Sequence, residues 1–294
     1  MKSAGMRYVL TAIFLFGLSS VYCRTQPSVL YYSPPGKSRE VYKKNPDVHI
    51  TVYPNRFLRS EGSVIFIHGG GWQLGGSDIE VYSDWEKPLA RAGLNAFSVE
   101  HRTAPDYRGN DIVGDCMDAV RYINKNAARF GIPENRFALV GFSSGGHLAL
   151  MTALRFNSDE KETIKISSVV SYYAASDLKK MYFNGDARRK KIISEFLPSS
   201  SRESDESLDQ ALKEFSPYYN ISEKMPYVYL IHGKRDHVIP YYQSQQLHDK
   251  ITAVQPSKSR LMLLKNSDHN FDKENRRDLP DMPKKAVKFI KKRM

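Results

Sequence analysis

The segment that most restricts how this chain can fold is a strand that runs without a break into a glycine-serine turn and then a helix. Arg136 to Val140 reads as a buried strand, Gly141-Phe142-Ser143-Ser144-Gly145 follows directly, and small residues lead into an apolar helical run, GGHLALMTALRF. A turn this tight has room only for small neighbours, and Gly141, Gly145 and Gly146 meet that need. It pushes the Ser143 hydroxyl out above the strand, at the positive end of a helix. The G-x-S-x-G pattern alone says little, because glycine and serine are common. The strand before it and the helix after it separate it from an ordinary glycine-rich turn.

The rest of the chain supplies a sheet for that turn. Strands are predicted at Val48–Tyr53, where apolar residues alternate, and at Ser63–Ile67, Leu94–Val99, Ser167–Tyr172, Tyr227–Ile231 and Arg260–Leu264. Helices are predicted over residues 79–92, 110–130, 240–253 and 282–293, with apolar positions such as Ile112, Val113, Met117, Val120 and Ile123 at helical spacing. Strands alternating with helices predict an α/β fold, with a mostly parallel sheet covered on both faces by right-handed crossovers. Residues 178–226 break the alternation. They are polar and serine-rich (LPSSSRESDESLDQ) and read as an insertion over the carboxyl edge of the sheet, as a lid or substrate wall.

A serine hydroxyl is a poor nucleophile until a base takes its proton, and that base is commonly a histidine oriented by an acid. On a strand-turn-helix nucleophile the chain order is Ser, then Asp or Glu, then His. Two late strands end in suitable residues: HGKRD, closing at Asp236, and KNSDH, closing at His269. Both lie at the same carboxyl edge as Ser143, where open α/β sheets hold their sites. Of the eight histidines, His269 alone combines late position, strand end and loop setting. His49 alternates within a strand, His68 fixes a glycine loop, and His101 lies in a loop with Arg102 and Pro105. His147 sits too close in sequence to reach back, and His232 reads as structural. His237 is a pocket-lining candidate and His248 a solvated one. For the acid, Asp236 is the first choice and Asp177, one strand earlier, the alternative; Asp268 adjoins the base, where an orienting role is awkward.

Attack on a carbonyl puts negative charge on its oxygen, and each backbone N–H aimed there stabilises it by roughly 3 kcal/mol. Ser144, the residue after the nucleophile, should supply one such N–H. The others should come from Gly69-Gly70-Gly71, where no side chain blocks the backbone. That run also follows a buried strand. It has neither the lysine of a Walker loop nor the G-x-G-x-x-G spacing of a dinucleotide site. Two cysteines cannot build a four-cysteine zinc site or a framework of several disulfides. No metal or cofactor is expected.

The N-terminus is expected to be a targeting segment. Lys2 and Arg7 make a basic start, Val9–Leu18 is uncharged and apolar, and Ser19, Ser20 and Cys23 offer small residues for cleavage. This predicts a signal peptide over residues 1–23, a single α/β domain over 24–294 and a secreted or envelope protein. The rival reading is an uncleaved N-terminal anchor, which would bring the only membrane contact. Cleavage after Cys23 leaves Cys116 as a lone thiol, a residue type usually buried. The formal net charge of +12 is spread out, densest at Arg188–Lys191 and along the last helix. It reads either as a solvated face or as a preference for anionic surfaces or substrates. No basic motif interleaved with aromatics argues for nucleic acid.

Together, His68-Gly69-Gly70-Gly71-Trp72, the turn GFSSGGHLA, HGKRDHVIP and SDHNF resemble an α/β-hydrolase. The likeness is to the esterase/lipase group with an HGGG oxyanion loop, including its hormone-sensitive-lipase-like, feruloyl-esterase-like and kynurenine-formamidase-like branches. It covers roughly residues 45 to 294. It implies Ser143 as nucleophile, Asp236 as acid, His269 as base, and Gly70, Gly71 and Ser144 as the oxyanion hole. Glu100–Pro105 stands where the group often has Tyr-Arg-Leu-Ala-Pro, with His101 in the tyrosine's place; Asp115 stands where it has a structural Asp before a helix. The acid segment is more feruloyl-esterase-like and dienelactone-hydrolase-like than lipase-like, which argues against long-chain lipids. The expected function is hydrolysis of a small-molecule or glycan-linked ester. The alternatives are amide or formamide hydrolysis by the same residues, or a silent binding protein that keeps the fold.

Overall fold

The computed structural model describes residues 37–53, 60–76, 82–271 and 281–294. The expected signal segment and the first residues of the helix expected over 79–92 lie outside these. In chain order the elements are β1 (Ser38–Lys43), β2 (Val48–Tyr53), β3 (Gly62–Ile67), α1 (Tyr82–Arg91), β4 (Leu94–Val99), α2 (Gly109–Lys125), α3 (Ala127–Phe130), β5 (Phe137–Phe142), α4 (Ser144–Ser158), β6 (Ile166–Tyr172), α5 (Leu178–Phe183), α6 (Ala187–Phe196), α7 (Asp205–Glu214), β7 (Tyr227–Gly233), α8 (Tyr242–Val254), β8 (Ser259–Leu264) and α9 (Met282–Lys291). The sheet runs β1-β2-β4-β3-β5-β6-β7-β8. The β1/β2 and β2/β4 pairs are antiparallel and the rest parallel.

Alternating residues of the central strands feed two cores. Val64, Phe66, Ala138, Val140 and Tyr229 pack with Trp85, Leu89, Phe289 and Ile290 of α1 and α9. Ile65, Ile67, Leu139, Val169 and Leu230 pack with Ile112 and Val120 of α2, Leu148 of α4 and Leu247 of α8. A strand buried on both faces needs an unbroken apolar run, and β3 and β5 have one. Each large side chain so buried contributes roughly 1.5–3 kcal/mol.

Three features differ from the sequence reading. β1 (SREVYK) is a polar edge strand, partly exposed along its length, with no apolar run to mark it. The helix expected over 110–130 is two helices, parted at Asn126, whose side chain donates to the Tyr122 carbonyl instead of continuing the turn. Asp115 stands inside α2, not before it. Its fully buried carboxylate bonds Lys43 at 2.7 Å and Arg102 at 2.8 Å, tying β1 and the loop after β4 to the helix. Cys116 beside it is buried. Among the described residues no helix is long and apolar enough to cross a membrane.

The insertion over 178–226 is helical and packed. It holds α5, α6 and α7 and buries Ile193, Phe196, Leu197, Leu212 and Phe215. Both ends are fastened: Leu178 N–H donates to Ser216 Oγ (2.8 Å) and Tyr218 N–H to the Ser176 carbonyl (2.9 Å). Asn220-Ile221-Ser222 has the form of a glycosylation sequon, but the Asn220 amide donates to the carbonyls of Lys213, Glu214 and Ser216, so a glycan there would cost those bonds.

Two glycines separate the strained turn from ordinary helix. A Cβ on Gly145 would lie 2.2 Å from the carbonyl oxygens of both Ile67 and His68, whereas one on Gly114 in α2 meets nothing within 4 Å. Gly145→Ala should therefore destabilise the protein by about 3 kcal/mol, and Gly114→Ala should stabilise it by about 0.5–1 kcal/mol. Urea midpoints of the two variants check both signs.

Candidate active site

β5 ends in the turn that carries Ser143. Its backbone is held at φ 54° and ψ −123°, a left-handed conformation that costs a non-glycine residue about 1–3 kcal/mol. Its N–H donates to the Tyr172 carbonyl at 2.9 Å. A Cβ on Gly141 would strike the Gly145 carbonyl at 2.1 Å, so the turn closes only with glycine there. Ser144 begins α4, and the helix points its N-terminus at the serine.

His269 comes from the loop after β8, and its Nε2 lies 3.1 Å from Ser143 Oγ. Its Nδ1 lies 2.7 Å from Asp236 Oδ2. Asp236 Oδ1 accepts the N–H groups of Val238 (2.9 Å) and Ile239 (2.8 Å). Burial alone would raise the Asp236 carboxyl, but hydrogen bonds from His232 and His269 outweigh it and hold the group at about 2. An ionised carboxylate only accepts, so His269 carries its proton on Nδ1 and offers a bare Nε2 to the serine hydroxyl. The Tyr173 ring packs edge-on against His269 at 4.7 Å and limits its tilt.

The other two acids are engaged elsewhere. Asp177 caps α5, accepting the Lys180 N–H at 2.9 Å. Asp268 accepts the backbone N–H of His269 and pairs with His237 at 2.9 Å. His237 itself is exposed. His232 is fully buried and bonded to Ser244 Oγ and the Ile239 carbonyl.

The glycine loop after β3 lies directly over the turn. A Cβ on Gly69 would fall 2.8 Å from the Phe142 carbonyl oxygen and 3.2 Å from Ser143 Cβ. Gly70 and Gly71 take φ +124° and +63°, and both Gln73 and Leu74 donate back to the Gly70 carbonyl. Among the described residues, the N–H groups of Gly70, Gly71 and Ser144 meet no backbone acceptor. His68 and His101 stack at 4.3 Å behind the loop, their Nδ1 atoms bonded to the carbonyls of Gly69 and Arg102.

Sequence reasoning missed the part played by His147. It does not reach back to the serine but fixes the glycine loop. The indole N–H of Trp72 donates to its Nδ1 at 3.2 Å, and its Nε2 lies 2.6 Å from the Phe215 carbonyl. An indole nitrogen only donates, so the His147 proton is on Nε2. Trp72 also stacks on Phe196 at 4.6 Å. The glycine loop and the insertion are thus joined through one buried imidazole. A buried histidine one turn into the helix was the sequence signal, but its partners are 75 and 68 residues away.

Among the described residues no three His, Cys, Asp or Glu side chains are grouped to hold a metal ion. A strand-turn-helix carrying Ser143 after the fifth strand, with Asp236 and His269 on the later loops of a mostly parallel eight-stranded sheet, is the arrangement of an α/β-hydrolase fold. The propionate-bound thermophilic esterase Est2 of Thermogutta terrifontis shares it at a TM-score of 0.68 and 20% identity, over 88% of this chain and 93% of that one. The bifunctional GH43-CE of Bacteroides eggerthii does so at 0.71 and 20%, over 88% of this chain and 38% of that one. Esterase LipC of Mycobacterium tuberculosis is 24% identical over 245 residues, 80% of this chain. This chain spans 60% of LipC's length and 55–57% of two other curated relatives that it matches. The family model BD-FAE matches residues 52–251, and the chain belongs to the BD-FAE family.

The buried imidazoles make stability depend on acid. Burial pushes His147 down to about 4, and burial with the neighbouring His68 pushes His101 down to about 3. Both stay neutral in the fold at pH 5, whereas an unfolded histidine takes up its proton near 6.5. A depressed histidine contributes stability that is complete above the unfolded value and lost as pH falls toward the folded one. Each pH unit below about 6.5 should cost up to ~1.4 kcal/mol per group. With His68 lowered by burial as well, thermal unfolding from pH 8 to pH 5 should show a falling midpoint and an uptake of at least about two protons per molecule at the acid end; a flat midpoint would contradict it.

Proposed function

We propose that the protein is a carboxylesterase that works through Ser143, His269 and Asp236 and forms an acyl-enzyme. The observation that carries the reading is the unbroken contact chain from Asp236 to His269 to Ser143, at 2.7 and 3.1 Å. His269 Nε2 takes the serine proton as Oγ attacks the ester carbonyl. The tetrahedral oxyanion is held by the N–H groups of Gly70, Gly71 and Ser144. Collapse expels the alcohol, which takes the proton from His269, and leaves the acyl group on Ser143. Water, deprotonated by the same His269, then releases the acid and restores the serine. Asp236 keeps the imidazole in the working tautomer and stabilises the imidazolium. The names of LipC and Est2, both esterases, support the reaction class.

Chromogenic acyl esters, from acetyl to long-chain and feruloyl, should be hydrolysed by the purified protein and not by Ser143→Ala, with a loss of at least about 10³-fold in kcat. Short and aromatic acyl groups should be preferred to long chains. Equal inactivity of both proteins on every ester, with cleavage of a formanilide, would move the reading to formamide hydrolysis. Failure on both, with no labelling by an active-serine probe, would leave a binding protein.

We also propose that the chain is exported, on the strength of its basic start and the apolar run Val9–Leu18. Expression of the full chain should yield an exported protein whose first residue falls between Val21 and Arg24, as read by N-terminal sequencing. Recovery of the uncleaved chain in the membrane fraction would favour the anchor instead.

A further inference from the structure

The charge read from sequence as diffuse has a definite place at the site. α6 crosses from the glycine loop to the acid loop. A Cβ on Gly71 would touch Ile192 Cγ2 at 3.8 Å, so this face of α6 looks onto the glycine loop. Arg188 and Arg189 precede Ile192 by four and three residues and share that face. The Arg189 side chain runs along Gly185, whose Cβ would lie 3.0 Å from its Cδ, and its guanidinium donates to the Val238 carbonyl at 3.1 Å. Val238 in turn donates its N–H to the carboxylate of Asp236. Arg189 therefore spans the gap between the insertion and the loop that carries Asp236.

No acid answers this charge. The described contacts use one guanidinium N–H of Arg189, on a neutral carbonyl, and give it no carboxylate. Arg188 is exposed and has no partner among the described residues, and neither do Lys234 and Arg235 on the acid loop itself. The nearby acids are otherwise engaged. Asp186 caps α6 through the Arg189 N–H, Glu195 is bonded to Gln73 and paired with Lys191, and Asp268 is paired with His237. A guanidinium with free donors, fixed on the loop that carries Asp236, suits a carboxylate better than a neutral group.

We propose that the ester this protein takes carries a carboxylate close to the scissile bond, and that Arg189, with Arg188 beside it, binds that group. The cleavage rests on the esterase reading; the binding does not. The carboxylate sits on the acyl side, as in a dicarboxylic half-ester, or on the alcohol side, as in an acylated uronate, and two substrate pairs separate these. The 4-nitrophenyl half-ester of adipate is compared with its neutral methyl ester, and acetylated methyl glucuronoside with acetylated methyl glucoside. The wild type should favour the anionic member of one pair by about tenfold in kcat/KM at low salt, and the ratio should shrink at 0.5 M salt. Arg189→Gln should bring that ratio close to one, and Arg188→Gln should lower it part of the way. The readout is a ratio within each variant, so a general loss of activity does not imitate it. Calorimetric titration of Ser143→Ala with the same four compounds separates binding from chemistry. Tighter binding of an anionic member, with no turnover of any compound by the wild type, would keep the proposal and overturn the esterase reading. Turnover without charge preference in either pair, or a preference unchanged in Arg189→Gln, would overturn the proposal.

Discussion

The rest of the site depends on how closely the Ser143 turn is pressed against the end of β3. Gly145 leaves no room for a methyl group beneath the carbonyls of Ile67 and His68, and Gly69 sits against Ser143 Cβ from above. This contact does two things. It fixes the serine in a conformation the residue would not choose alone, with sheet hydrogen bonds bearing the strain. It also brings the N-terminus of α4 and the glycine loop together, where the N–H groups of Ser144, Gly70 and Gly71 meet no backbone acceptor among the described residues. A looser contact would leave the same residues in the same order but let the turn and the glycine loop drift apart.

What was legible in the sequence follows from that geometry. The turn and the HGGGW loop were readable because their constraint is local: a strand, a forced glycine and a helix lie within a few residues of each other. The central strands were readable because burial on both faces demands an unbroken apolar run. Where neither condition holds, the sequence is quiet. β1 is an edge strand whose polar residues face solvent and Glu40 pairs with Arg129 across 89 residues, so nothing local marks it. The choice among Asp236, Asp177 and Asp268 was open to sequence because all three follow strands. The structure parts them by what else they hold: a helix N-terminus for Asp177, His237 for Asp268, and His269 for Asp236.

The insertion was the hardest part to read, and the reason is chemical. Its composition is polar because most of its surface is outside, and only one side of each helix is apolar. That side carries Ile193, Phe196, Leu212 and Phe215, which fill the space beside Trp72 and His147. A polar segment was therefore correctly placed over the carboxyl edge, but its packing into the glycine loop was invisible. The connection runs from Phe215 to His147 to Trp72, and it passes through an imidazole that works only while neutral. Protonation would turn the Nδ1 acceptor into a donor facing an indole N–H that can only donate.

The same insertion is anchored through α6 at three places. α6 is held to the glycine loop by Phe196 on Trp72, to the loop before α2 by Arg108 on the Glu195 carbonyl, and to the acid loop by Arg189 on the Val238 carbonyl. One helix thus meets both the glycine loop and the loop that carries Asp236. Charge within the insertion is also divided. Lys179, Lys180 and Arg188–Lys191 lie on α5 and α6, while Asp205, Glu206, Asp209 and Glu214 lie on α7. Asp209 of α7 draws Lys179 and Lys213 to itself, and among the described residues Arg188 and Arg189 of α6 are left without a carboxylate. A net charge spread evenly would have kept the protein soluble just as well. Leaving it unneutralised on the helix that joins the glycine loop to the Asp236 loop costs self-repulsion, and an anionic ligand is what would relieve it.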